Sequence, residues 1–221
     1  MIPSRRITSS QTGTHRHLQA VVDKHLATAW QKPISDYSRE VFARVEHWLA
    51  HDDRPWILDS GCGTGESSAR LAELFPDSKV LGFDRSQARL ARLSRKTTVP
   101  ENCLTIRANA DDLWRQLVTA NVKPTRHYLF YPNPYPKPAQ LNQRWHGSPV
   151  FPYLVALGGN LELRSNWSIY VEEFAAALTQ STGITASVEP HVADAPVSPF
   201  EKKYQDSGHK LWRITINLHN R

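Results

Sequence analysis

Trp56-Ile57-Leu58-Asp59-Ser60-Gly61-Cys62-Gly63-Thr64-Gly65 is the stretch on which the fold turns. Its first four residues are a short, mostly apolar run that reads as a buried strand, and three glycines then break the pattern. A helix is expected next, ending near Phe75-Pro76. Glycines in such a turn let the backbone approach a ligand closely and adopt angles that other residues avoid. The spacing is G-x-G-x-G, with Glu66 where a dinucleotide fingerprint needs its third glycine. Asp59 stands just before the turn, where a carboxylate suits an ammonium or sulfonium better than a pyrophosphate.

Outward from this unit, strands and helices alternate. Lys79–Asp84 reads as the second strand, Ser86–Arg95 as a helix and Cys103–Arg107 as the third strand. Asp111–Val118 reads as helix, Arg126–Tyr131 and Asn160–Arg164 as the next strands, and Trp167–Thr179 as helix. Two final strands are expected at 184–188 and 211–218. Alternation of this kind predicts an α/β fold, a mostly parallel sheet with helices on both faces. Upstream, residues 1–16 read as a polar arm, and 17–30 and 37–50 carry helical spacing. The chain therefore divides into a basic N-terminal arm with a helical extension, 1–54, and a sheet domain, 55–221.

Composition narrows the classes. The 221 residues hold 27 Lys and Arg against 21 Asp and Glu, a net charge of +6, which admits a polyanionic partner without requiring one. Charge gathers in the arm (Arg5, Arg6, Arg16) and in Arg85, Arg89, Arg92, Arg95 and Lys96, four of which share a helical stripe. No apolar run reaches the length of a membrane span, and the N-terminus lacks the apolar core of a secretory signal. Cys62 and Cys103 make no disulfide framework and no zinc ribbon, so a cytoplasmic setting is expected. His47 and His51 lie four apart, but Trp48 stands where a zinc-protease helix needs glutamate, and no metal is expected. Whether the chain is a monomer or a homodimer is not legible.

The glycine turn and Asp84, the acid at the end of the second strand, together resemble the class I S-adenosylmethionine-dependent methyltransferases, a Rossmann-like fold with a seven-stranded sheet and a reversed last strand. That resemblance implies S-adenosylmethionine as cofactor. Asp59, Gly61, Gly63 and Gly65 would hold its methionine end, Asp84 its ribose, and Asn109, Ala110 and Asp111 its adenine. A more specific likeness runs from about residue 56 to 216. Pro132-Asn133-Pro134-Tyr135-Pro136-Lys137, Gly158-Gly159 with Ser165-Asn166-Trp167, Ser198-Pro199-Phe200-Glu201 and Gly208-His209-Lys210-Leu211-Trp212 follow one another in the order of the bacterial tRNA (guanine-N7)-methyltransferase family. The resemblance implies methyl transfer to guanine N7 in tRNA. It places Asn133, Lys137, Asn166, Ser198 and Glu201 around the acceptor base, with Asn133 and Glu201 as the catalytic pair.

The chain departs from that family at informative positions. Members carry Asp where Asn133 and Asn166 stand, and the basic run after the family's lysine is thinned to Pro138-Ala139-Gln140-Leu141-Asn142-Gln143-Arg144. Guanine N7 offers a lone pair and no proton, so its methylation needs positioning rather than a general base. Asn133-Pro134-Tyr135 also resembles the Asn-Pro-Pro-Tyr loop of amino-group methyltransferases. Methylation of another nucleobase, an exocyclic amine or a small heterocycle stays open at this point. A relative that binds RNA without chemistry stays open too.

Overall fold

The computed structural model describes residues 4–92 and 99–218. The glycine-turn unit forms as its sequence predicts: β1 (Trp56–Ser60), the turn, and α3 (Glu66–Leu74), preceded by α1 (Leu18–Ala27) and α2 (Asp36–Leu49). The chain continues through β2 (Lys79–Asp84), α4 (Gln87–Leu90), β3 (Cys103–Arg107), α5 (Ala110–Thr119) and β4 (Arg126–Phe130). Two short 3-10 turns then lead to α6 (Phe151–Ala156), β5 (Asn160–Ser165), α7 (Ser168–Thr182), β6 (Val188–His191), α8 (Pro199–Asp206) and β7 (Leu211–Asn217).

The seven strands lie in the order β3-β2-β1-β4-β5-β7-β6. Pairs are parallel from β3 across to β5, and β7 runs against both β5 and β6. Every residue of β1 and β2 is buried, as expected for strands covered on both faces. Alternation divides their side chains: Leu58, Leu81 and Leu129 join the core under α1, α2, α5, α6 and α7, whereas Ile57, Val80 and Tyr128 meet Leu71 and Ala72 of α3. The order reverses between β1 and β4, and an open α/β sheet binds its ligand at that switch point.

The helical extension is tied to the sheet. Leu18, Val22, Val41 and Val45 belong to the larger core. Lys79, 2% exposed, donates from Nζ to the carbonyls of Trp48, Leu49 and Asp52, so a buried ammonium satisfies the C-terminal end of α2. Gly82 lets α3 sit close: a Cβ there would lie 2.0 Å from the Ser68 hydroxyl.

Two expectations need correction. The strand expected at 184–188 lies at Val188–His191. Residues before it instead wrap the end of α7, where Gly183 takes a left-handed conformation and the Ala186 amide donates to Thr179 Oγ1. The helix expected from Ser86 to Arg95 is the single turn α4, and Arg95 and Lys96 lie outside the described residues.

Candidate active site

A cavity of about 410 Å3 opens at the switch point, within the usual range for small-molecule sites of roughly 300–1,000 Å3. Ser60, Gly61, Asp84, Asn109 and Ala110 line one end. Phe130, Tyr131, Asn133, Tyr135, Trp145, Phe200 and Tyr204 line the other.

The first end is shaped by the glycine turn. Gly61, Gly63 and Gly65 all have positive φ, and Gly61 and Gly63 have open space where a Cβ would stand. Asp84 closes the turn: Oδ2 accepts from the Gly63 amide at 3.1 Å and Oδ1 from the Ser86 amide at 2.7 Å. Arg89 pairs with Asp84 at 3.2 Å and lines the cavity with Arg85. Two members of the expected basic stripe therefore face the site. Asn109 caps α5 by accepting from the Asp111 amide, and it brings Ala110 to the cavity wall. Asp111 does not line the cavity; it lies 3.9 Å from Lys32.

Asp59 sits beneath the turn. Its Oδ2 accepts from the Ser67 and Ser68 hydroxyls, while Oδ1 is buried without a partner. Burial pushes this carboxyl up to about 6. An orphaned buried carboxylate oxygen below an open glycine cradle fits a cationic ligand group, such as the ammonium of S-adenosylmethionine. Asp84 at the end of β2 fits a ribose diol, and Asn109-Ala110 fits an adenine edge. The residues present suit the cofactor. Cys62 is buried in the turn, where burial pushes its thiol up and away from nucleophilic duty. Ser60 is likewise structural. Trp114 Nε1 donates to its hydroxyl, which lies 2.8 Å from His127 Nε2, and burial holds that imidazole neutral, down at about 3.

The second end differs from expectation in where its charged residues point. Asn133 is exposed on the cavity wall, as the resemblance implies. Glu201 is fully buried behind that wall. Its carboxylate accepts from the Tyr131 hydroxyl, Arg164, His191 and the Val197 amide. Burial disfavours its charge, but these donors outweigh burial and hold the carboxyl down at about 2. It reaches the cavity through Tyr131, whose φ of +52° at the end of β4 is unusual for a bulky residue. Ser198 caps α8 by accepting from the Glu201 amide. Asn166 donates to His209 Nδ1 at 3.1 Å, and Lys137 is exposed with its amide donating to Gln140. Lys137, Asn166, Ser198 and Glu201 flank the acceptor end without lining it.

Residues 53–214 match a family model, Methyltransf_4, described as "Putative methyltransferase". The chain belongs to this methyltransferase family. It is an enzyme that uses S-adenosylmethionine, in keeping with the cradle above. The methyltransferase is 29% identical over 168 residues to a tRNA (guanine-N(7)-)-methyltransferase of Nitrosococcus oceani, covering 72% of this chain and 69% of that one. A protein of the same name from Neisseria gonorrhoeae is 24% identical over 212 residues, 90% of this chain and 86% of that one. The fold is shared with the 16S rRNA methyltransferase KamB, with a TM-score of 0.58 at 15% identity over 84% of this chain and 94% of that one. It is also shared with a precorrin-6y C5,15-methyltransferase of Geobacter metallireducens, with a TM-score of 0.51 at 18% identity, covering 85% and 91%.

Sequence reasoning missed Arg144, Glu173 and Gln11, which meet in one buried cluster beside the acceptor loop. Glu173 carried a signal, since it interrupts the apolar side of α7 between Tyr170, Val171 and Phe174. A charge placed there is buried and must find a partner.

Proposed function

We propose that the methyltransferase moves the methyl group of S-adenosylmethionine to N7 of a guanine in tRNA, in the cytoplasm. The observation that carries this reading is the make-up of the acceptor end. Among the described residues lining the cavity, Asp84 is the one acid and none is a histidine. Asp84 belongs to the cofactor end. An acceptor that must lose a proton before attack would find no base here, whereas guanine N7 attacks with a free lone pair. The names of the relatives and the ordered motifs support the same acceptor.

When bound, S-adenosylmethionine supplies a methyl group activated by its sulfonium. The chain's own residues supply position. Asp59 and the glycine turn would seat the cationic end, and Asp84 would hold the ribose. Phe130, Tyr131, Tyr135 and Tyr204 offer flat apolar faces for a purine. The Asn133 amide can donate to guanine O6 or accept from N1–H, without the charge-assisted strength of the carboxylate it replaces. Because guanine N7 offers a lone pair and no proton, no residue of this chain would need to take up a proton as the methyl group is supplied.

Incubation with tritiated-methyl S-adenosylmethionine and total tRNA, followed by nucleoside analysis, tests the reading. Label in 7-methylguanosine is expected. Label in an N-methylated amine of another base, or in small molecules only, would sink it.

A further inference from the structure

We infer that Glu173 is a positioning residue for methyl transfer, through which residues 9–15 of the N-terminal arm strap the acceptor loop in place. This rests on the reading of residues 131–137 as the acceptor loop, and it gives the arm a role other than tethering RNA.

Glu173, Arg144 and His146 are all 0% exposed. Each Glu173 oxygen has two donors. Oε1 accepts from Gln11 Nε2 and from the His15 amide at 2.8 Å, and Oε2 accepts from Arg144 Nη1 and from His146 Nε2 at 2.9 Å. The acceptor capacity of the carboxylate is then filled. Burial alone would favour the neutral acid, but hydrogen bonds from His146 and Arg144 prevail and hold Glu173 ionised. Burial keeps His146 neutral, so Arg144 is the counter-charge.

Arg144 spends its remaining donors on the loop. Nε and Nη2 donate to the Tyr135 carbonyl at 3.1 and 3.0 Å, and Nη2 also reaches the Lys137 carbonyl at 3.4 Å and Gln11 Oε1 at 3.0 Å. Its guanidinium lies over the Trp167 ring at 5.0 Å. The arm ties the carbonyl between those two, for the Ser9 hydroxyl donates to Pro136. Tyr135 has a φ of +44°, and a side chain in that region persists only where its surroundings over-determine it. Three consecutive loop carbonyls are therefore pinned by one arginine and one arm residue, and Gln11 touches both members of the buried ion pair. If the arm lifts, the carboxylate loses two of its four donors and the arginine loses an acceptor. Networks of this kind dock or release together.

A tether and a strap differ in what their loss changes. Losing a tether weakens RNA binding, whereas losing a strap slows turnover while RNA and cofactor still bind. Gln11→Ala is the cleaner variant because Gln11 lies on the arm, outside the sheet core. Glu173→Gln is the stronger one, read only if its melting curve stays cooperative. Four quantities are measured: kcat and KM for methyl transfer to total tRNA, Kd for S-adenosylmethionine, and hydrogen exchange at the His15 amide and across 131–144. For Gln11→Ala, kcat should fall on the order of tenfold with KM and Kd within about twofold. Exchange of arm and loop should quicken together. Unchanged kcat with a raised KM, or a faster arm beside an unaltered loop, would overturn the inference. If the unaltered enzyme puts no label into tRNA, the proposed acceptor fails instead, and the exchange data still decide whether arm and loop are coupled.

Discussion

At the cofactor end of the cavity, Asp84 and Asn109 line the wall, and Asp59, buried outside that lining, keeps an unpartnered oxygen beneath the glycine turn. At the acceptor end the carboxylates face away. Glu201 and Glu173 are both fully buried behind aromatic and loop residues, each filled by its own donors. One end is built to meet a ligand's charge. The other spends its charges on holding strained backbone, at Tyr131 through Glu201 and at Tyr135 through Arg144 and Glu173. The same residue type serves binding in one place and posture in the other, and access to the cavity tells them apart: Asp84 lines it, whereas Glu201 and Glu173 do not.

Substitutions can break that contrast. The largest effect is expected at Glu201. Glu201→Ala leaves Arg164 short of a partner in a buried site and should cost about 3–5 kcal/mol of stability in denaturant unfolding. Even the milder Glu201→Gln should cost more methyl-transfer activity than a change at Asn133. Next comes the cofactor end. Asp84→Asn should weaken S-adenosylmethionine binding by about 10- to 100-fold, the range for a charged hydrogen bond of about 1.5–3 kcal/mol, with a smaller loss of stability than Glu201→Ala because Arg89, its ion-pair partner, is solvent-exposed.

Cofactor affinity should also follow the protonation of Asp59. Its folded pKa of about 6 lies above the ordinary value, so its contribution to folding is full below about pH 4 and is lost as pH rises through 6. Binding of an ammonium has the opposite sense. Titration calorimetry should show affinity falling as pH drops through about 6, and Asp59→Asn should flatten that dependence. The smallest effect is expected for Asn133→Asp, which keeps size and restores a charged acceptor at the cost of the amide donor, and whose rate should stay within about tenfold of the parent. Abolished turnover there, with Glu201→Gln active, would reverse the roles given to these two acceptor-end residues.

How much of this was legible in the sequence follows the same division. The glycine turn, Asp84 and Asn109 lie at the ends of consecutive strands, so local pattern and spacing locate them. The reversed β7 was legible only through the family resemblance, and the strand order was not read from the sequence, because which strands pair depends on contacts far apart in the chain. The acceptor end is assembled from parts far apart in the chain. Gln11 meets Glu173, and Tyr131 meets Glu201, 70 positions on. Periodicity carries no information about such pairs. Motif resemblance found Glu201 but could not say that its carboxylate is enclosed, because motif position does not report side-chain direction. The arm read only as polar and basic, with no apolar period, yet Ser4 joins Ser207 and His209, and Gln11 joins Glu173.

The contrast between a charged cofactor end and an acceptor end without a base is tested most directly by the pH dependence of a single turnover, with tRNA and S-adenosylmethionine saturating. A rate that is level from about pH 7 upward is predicted, because a lone pair at guanine N7 needs no deprotonation. A rate that climbs about tenfold per pH unit across that range would require a base or an ionising acceptor, and would contradict the account.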